Sequence, residues 1–183
     1  MRDEDHQLLI AMHRGVDASA RIFWARQSPR LLAFARAVLP RRLRSHAEDV
    51  VQSVFCRLLD LPAREIESIR DVGAYLAAMT RHQALNVARS ARRDAARHES
   101  LPVRGGSPET PQHEDDLARA IDALPRRLRE TVVLKHSTGL SFDALADVLG
   151  LNRDTLASRY RQGLNALRAT LVPGATTTEV RDG

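Results

Sequence analysis

Cysteine is nearly absent from this chain: Cys56 is the only one in 183 residues. No intramolecular disulfide and no cysteine-based metal cluster can form. Lysine is just as scarce, with Lys135 alone among 28 basic side chains. Aromatic residues make up 4% of the chain against 43% hydrophobic residues in all, so the core has to be aliphatic. Val-Ile-Thr runs at strand spacing are missing, while Ala, Leu and Arg dominate, a composition that favours helix. No apolar run approaches the roughly 20 residues of a membrane span, so no membrane insertion is expected. The opening segment MRDEDHQLLI is charged and has no apolar stretch of the secretory kind, and a cytoplasmic protein is the simplest expectation. The seven histidines (His6, His13, His46, His82, His98, His113 and His136) form no H-E-x-x-H or other zinc spacing, so no metal is expected. Phosphate-binding and dinucleotide-binding glycine loops and the G-x-S-x-G nucleophile turn are missing too. The acid pair Glu48–Asp49 points apart on a helix. No catalytic residue, no cofactor and no enzymatic activity are expected.

Charge is present and unevenly spread. Residues 1–93 hold 16 basic and 10 acidic side chains, residues 94–116 hold 2 and 6, residues 117–172 hold 9 and 5, and residues 173–183 hold 1 and 2. Two basic blocks are joined by an acidic connector. Basic blocks favour a polyanionic partner, although an arginine-rich coding bias, which the single lysine fits, gives the same excess. The connector contains Pro102, Gly105, Gly106, Ser107, Pro108 and Pro111 and has almost no apolar periodicity, which is the composition of a linker. The expected organisation is a domain over 1–93, a linker over 94–116, a second domain over 117–172 and a tail over 173–183.

In the first block, helices are predicted near 4–14 and 18–39, then over 46–59. The last has a candidate capping box in Ser45 and Glu48 and an apolar face of Val51, Val54, Phe55 and Leu58. Leu61–Gly73 reads as a loop. A long helix is predicted from Asp71, its N-cap, to about Arg93. At about 100° per residue, Val72, Leu76, Met79, Gln83 and Val87 share a face that should be buried. Tyr75, His82, Asn86, Arg89 and Arg93 share another, flanked by Arg81 and Arg92. An aromatic ring with several guanidiniums suits single-stranded nucleic acid, because every base offers a π-face and every nucleotide a phosphate. A solvated basic face with Tyr75 at the core edge fits the same pattern.

In the second block, helices are predicted over Asp115–Leu124 and Arg126–His136, with Gly139 breaking the second. Ser141 can cap FDALADVL, Gly150 ends it, and Asn152 can cap a longer helix to Leu171 with Leu156, Tyr160, Leu164, Leu167 and Leu171 facing inward. A short helix, a glycine turn and a longer amphipathic helix make the helix-turn-helix pattern. Arg153, Asp154, Ala157, Ser158 and Arg161 lie on the other side near the helix N-terminus, the end that enters the DNA major groove in such motifs.

Taken together, these segments resemble a bacterial sigma factor of the extracytoplasmic-function (ECF) type, which consists of a region 2 and a region 4. AEDVVQSVFCRLL (Ala47–Leu59) is similar to the region 2 segment that docks on RNA polymerase. AYLAAMTRHQALNVARSARR (Ala74–Arg93) resembles the segment that melts and reads the −10 element, although the family usually has Trp where Tyr75 stands. Ala123–Arg168 resembles region 4, which reads the −35 element, with Leu156–Ala157 where the family usually carries a basic residue. The resemblance implies an all-helical protein of two small domains. It implies that Asp49, Gln52, Phe55 and Arg57 bind core RNA polymerase. It implies further that Tyr75, Arg81, His82, Asn86, Arg89, Arg92 and Arg93 meet −10 DNA, and that Arg153, Asp154, Thr155, Ala157, Ser158, Arg159 and Arg161 meet −35 DNA. Core RNA polymerase and promoter DNA are the implied partners, with an anti-sigma factor as a third. A stand-alone helix-turn-helix regulator, dimeric on a palindromic operator, is the alternative, but it leaves SHAEDVVQSVF without a role.

Overall fold

The computed structural model describes residues 2–97 and 112–172. Among these residues every regular element is helical: α1 (Arg2–His13), α2 (Asp17–Val38), a 3-10 segment (Arg41–His46), α3 (Ala47–Leu59), α4 (Ala63–Ser68), α5 (Val72–Arg97), α6 (Gln112–Ala123), α7 (Arg126–Thr138), α8 (Phe142–Leu149) and α9 (Arg153–Leu171). Residues 98–111 of the acidic connector and the tail 173–183 lie outside the described residues.

Local chemistry sets most of these boundaries. Asp71 caps α5, its Oδ1 accepting from the Ala74 amide at 2.9 Å. Ser141 caps α8 at 3.2 Å and Asn152 caps α9 at 2.7 Å, each filling one of the amide positions that a helix start leaves unpaired. Gly139 and Gly150 both adopt φ 65°, the left-handed conformation that glycine reaches without a Cβ penalty. Two expectations are corrected. The Ser45–Glu48 capping box does not form: the 3-10 segment runs directly into α3, the Ala47 amide bonds to Arg44 O, and the N-cap residue is His46, with no side-chain bond. The 61–73 stretch is not all loop. Pro62, pre-set at φ −62°, starts α4, and Ile66, 1% exposed, anchors that helix in the core.

Helices α1 to α5 wrap an apolar core around Phe23, Phe34, Leu58 and Leu76, each fully buried. Burying such side chains stabilises the fold by roughly 1.5–3 kcal/mol apiece. His13 donates from Nε2 to Leu61 O at 2.6 Å and His6 to Ile66 O at 3.2 Å, tying α1 to the turn and helix that follow α3. A second, smaller cluster of Ala120, Leu124, Leu128, Val132 and Leu167 joins α6, α7 and α9.

The two blocks are packed on each other. Leu134, Leu140, Leu145, Leu149 and Leu156 belong to the same continuous buried cluster as Phe34, Val38 and Leu76. Helix α7 lies on α2, and α8 lies on α5. Arg129, 6% exposed, donates from Nε to Ala37 O at 3.0 Å and from Nη1 to Asp122 O at 3.2 Å. Arg44 forms an ion pair with Asp122. Glu130 lies 3.1 Å from Arg126 Nε and 3.9 Å from Arg81 Nε. Burial pushes the Glu130 carboxyl above the ordinary carboxylate range, and Arg126, Arg81, Arg129 and Arg159 draw it part of the way back.

Candidate nucleic-acid interface

Three surfaces carry the sequence-predicted residues. The first is α3. Asp49, Gln52 and Arg57 are exposed, and Asp49 Oδ2 sits 3.5 Å from His46 Nδ1. Phe55 is different: it is 6% exposed, with its ring 5.9 Å from Phe23 and 4.4 Å from Trp24, centroid to centroid. The aromatic ring exposed on this face is that of Trp24, not Phe55. Trp24, the chain's only tryptophan, is 42% exposed and lines a groove with Pro29, Leu32, Glu48, Val51 and Gln52.

The second surface is α5. His82, Arg89, Arg92 and Arg93 are exposed, while Tyr75, Arg81 and Asn86 are half-buried. Burial raises the Tyr75 phenol pKa, and the Glu65 carboxylate adds to the effect, so Tyr75 is an un-ionised ring with one face in the core cluster. The other side opens on a groove walled by Glu65, Ser68, Ile69, Arg70, Asp71, Ala74 and Ala78, with Asp147 and Val148 of α8 along its far edge. The buried side of α5 turns slightly from the predicted one. Val72 and Leu76 are inside as expected, with Ala77, Thr80 and Ala84, while Met79, Gln83 and Val87 are only half-buried. Small residues at 77 and 84 let α5 sit closer on that side.

The third surface is the start of α9. Arg153, Asp154 and Arg161 are exposed, and Thr155, Ala157, Ser158 and Arg159 are half-buried. Asp154, Thr155, Ser158, Arg159 and Gln162 line a shallow groove completed by Arg127 of α7, an exposed guanidinium that periodicity within α9 cannot reveal. Gln162 donates from Nε2 to Ser158 Oγ at 3.1 Å. Tyr160 holds the helix in place: its hydroxyl is 3.1 Å from His136 Nε2, and its ring meets Phe142 edge-on at 5.5 Å. Leu156 and Leu167 are buried as expected, but Leu171 is 39% exposed, because α9 outruns the helices it packs on.

All three surfaces offer side chains rather than enclosed chemistry. Among the described residues, no group of three or more His, Cys, Asp or Glu is placed to hold a metal, and no helix is long and apolar enough to cross a membrane. Residues 23–94, which carry the first two surfaces, match Sigma-70 region 2, and residues 114–167, which carry the third, match Sigma-70 region 4. The chain belongs to the sigma-70 family, in its ECF group. ECF RNA polymerase sigma factor SigE of Mycolicibacterium smegmatis is 30% identical over 145 residues, which are 72% of this chain and 54% of SigE. The ECF sigma factor thus spans about half the length of that relative. ShbA of Streptomyces griseus subsp. griseus, another ECF RNA polymerase sigma factor, is 25% identical over a 187-position alignment that covers 92% of this chain and 98% of ShbA. Two solved structures share the fold. The sigma factor RpoE, in complex with the anti-sigma factor NepR from Bartonella quintana, matches at TM-score 0.66 with 22% identity, over 78% of this chain and 90% of RpoE. CnrH, in complex with the cytosolic domain of CnrY, matches at TM-score 0.59 with 23% identity, over 94% of this chain and 99% of that one.

Proposed function

We propose that this ECF sigma factor binds core RNA polymerase, brings it to a promoter and helps open the duplex there, with each of the three surfaces performing one step. What carries the reading is the order of surfaces along the chain: an exposed α3 face beside Trp24, an arginine-lined α5 beside a half-buried tyrosine, and a capped α9 with arginines in its first turns. In this reading region 2 occupies 1–93, the linker 94–116 and region 4 117–172. The protein supplies binding surfaces and the polymerase the chemistry, so the sigma factor is not itself an enzyme, and its work lies in the cytoplasm. An anti-sigma factor is proposed as a further partner. The deciding experiment is run-off transcription with core polymerase on a randomised-promoter library: transcripts starting at a shared motif only when this protein is added support the reading, and none at all overturns it.

The α3 surface makes the first expectation. Asp49 and Gln52 are exposed and clear of the buried face, so Asp49→Arg should leave helicity unchanged and weaken core-polymerase binding. An unchanged affinity in a pull-down with core polymerase would remove this face from the interface.

The α9 surface separates two kinds of contact. Arg153, in the first turn and exposed, is placed to bond a guanine edge. Arg153→Ala should cost about 1–3 kcal/mol and relax preference at one base position. Arg159, half-buried along the groove that it shares with Ser158 and Arg127, is placed to reach the phosphate backbone. Arg159→Ala should weaken all sequences alike and flatten the salt dependence by roughly one unit of slope. A promoter-library selection at two salt concentrations reads both. If both variants keep the parent's preference and salt slope, α9 is not the reading helix.

A further inference from the structure

We propose that −35 binding extends off α9 onto α7: Arg127 anchors a backbone phosphate on one flank of the DNA groove that α9 enters, next to the phosphate assigned to Arg159. This rests on the assignment of α9 to −35 DNA given above.

Arg126, Arg127 and Arg129 stand together at the start of α7, and the fold uses two of them. Arg126 Nε lies 3.1 Å from the Glu130 carboxylate. Arg129 is buried and donates to Ala37 O and Asp122 O at 3.0 and 3.2 Å. Arg127 is exposed, and among the described residues no carboxylate pairs with its guanidinium. A free surface arginine is common; the position of this one is what gives it a task.

Packing sets that position. Helices α7 and α9 approach closely at Gly163, where a projected Cβ would lie 3.6 Å from Leu128 O. Arg127 directly precedes Leu128 and is held beside α9 with it. Arg127 shares one groove with Asp154, Thr155, Ser158, Arg159 and Gln162 of α9. Asp154, Ser158 and Gln162 recur every four residues, so the groove follows one flank of α9 for about 12 Å.

The chemistry of the groove fits phosphate. Arg127 and Arg159 bring guanidiniums, and Thr155 and Ser158 bring hydroxyls. Gln162 donates from Nε2 to Ser158 Oγ at 3.1 Å, which fills an acceptor position of that hydroxyl and leaves its proton to be given outward. Such donors hold phosphate oxygens and fix the register of a protein on a duplex. Asp154 is the one carboxylate in the lining. It stands in the first turn of α9, where base edges come within reach, and a carboxylate there accepts from a cytosine amino group. A helix seated in the major groove has a phosphate backbone along each flank. On the flank shared with α7, two cations on separate helices therefore face neighbouring phosphates of one strand. Anchors on two helices fix the tilt of α9 in the groove as well as its depth, without reading any base.

The test uses the full chain with core polymerase and the promoter recovered from the randomised library. Arg127→Ala should weaken binding to cognate and scrambled −35 sequences by the same factor and lower the salt slope by about one unit. Arg127→Lys keeps the charge and should restore the slope. Arg127→Ala combined with Arg159→Ala should lose about two units. Ethylation interference, which neutralises single phosphates, locates the contact: the parent should be sensitive at a phosphate flanking the −35 element to which Arg127→Ala is indifferent, beside the one to which Arg159→Ala is indifferent. The thermal midpoint of Arg127→Ala should match the parent's, so that a lost contact is told from a lost fold. A parental slope and a parental interference pattern in Arg127→Ala overturn the anchor, and so does a change of preference confined to one base position. Arg153→Ala and Arg159→Ala on the same DNA separate this outcome from a failure of the underlying reading. If they change preference and slope while Arg127→Ala changes nothing, α9 binds DNA without α7. If none of the three changes anything, α9 is not the reading helix.

Discussion

Replacing Gly163 with alanine is expected to destabilise region 4, although the same change stabilises most helices. Gly163 sits in the middle of α9 and is buried against α7. A Cβ there would lie 2.5 Å from Val132 Cγ2, with Leu128 O and Leu128 Cβ next at 3.6 and 3.7 Å. Val132 is 3% exposed, and valine in a helix is held in one χ1 rotamer, so its methyl has nowhere to turn. Overpacking of this kind costs about 1–3 kcal/mol, against roughly 1 kcal/mol of helix propensity gained on leaving glycine. Gly163→Val brings two further methyls into the same gap and is expected to lift α9 from α7 altogether, abolishing −35 recognition while α3 and α5 stay folded. A sign change supplies the check. In a Val132→Ala chain the space is vacated, and adding Gly163→Ala should then raise the thermal midpoint. If Gly163→Ala shifts the midpoint by the same amount and in the same direction in both chains, the clash with Val132 is not what the glycine avoids.

The contact also shows what a sequence displays and what it hides. Caps are local, and Asp71, Ser141 and Asn152 could be named as helix starts because each bonds an amide three residues on. Gly163 could not be understood that way, since its reason lies 31 residues back, on another helix. Trp24 is an intermediate case. Ile22, Phe23 and Trp24 follow one another around α2 at about 100° per residue; Phe23 faces the core at 0% exposure, leaving Ile22 at 45% and Trp24 at 42%. The apolar run was visible, but which member pointed inward depended on the placement of α3. Phe55 carries two opposed signals: its place on the α3 apolar stripe points inward, where it lies at 6% exposure, and similarity to a docking segment points outward.

The docking of the two blocks was the least legible feature. Leu134, Leu145 and Leu149 show helical periodicity, and a period reports that a face is covered without saying by what. Arg129 reads as one more arginine in RRLRE. Its role depends on a carbonyl at the end of a helix that closed before the linker began. Buried polar contacts of this kind leave no mark on hydrophobic patterning.

The largest functional effect is expected at the start of α5. Tyr75→Ala combined with Arg89→Ala should slow open-complex formation at a cognate promoter by tenfold or more, since stacking on an aromatic ring is typically worth about 1–3 kcal/mol per base and a phosphate contact is lost with it. Core-polymerase binding should persist, because the α3 face and the Trp24 groove are untouched. Tyr75 is half-buried and packs against the core, so part of any loss could come from the fold, and two controls isolate that part. Tyr75→Phe keeps the ring and its packing and removes only the hydroxyl, so it should open promoters nearly as the parent does. Arg89→Ala alone changes an exposed side chain and should leave the thermal midpoint unmoved while slowing opening in a salt-dependent way. Permanganate reactivity of unpaired thymines across the −10 element, followed in time, reads all four proteins. Equal rates in the double variant and the parent would show that the α5 surface does not hold the strand. A double variant that fails to fold while Arg89→Ala opens promoters at the parental rate would assign Tyr75 to the core and take the arginine stripe out of the melting step.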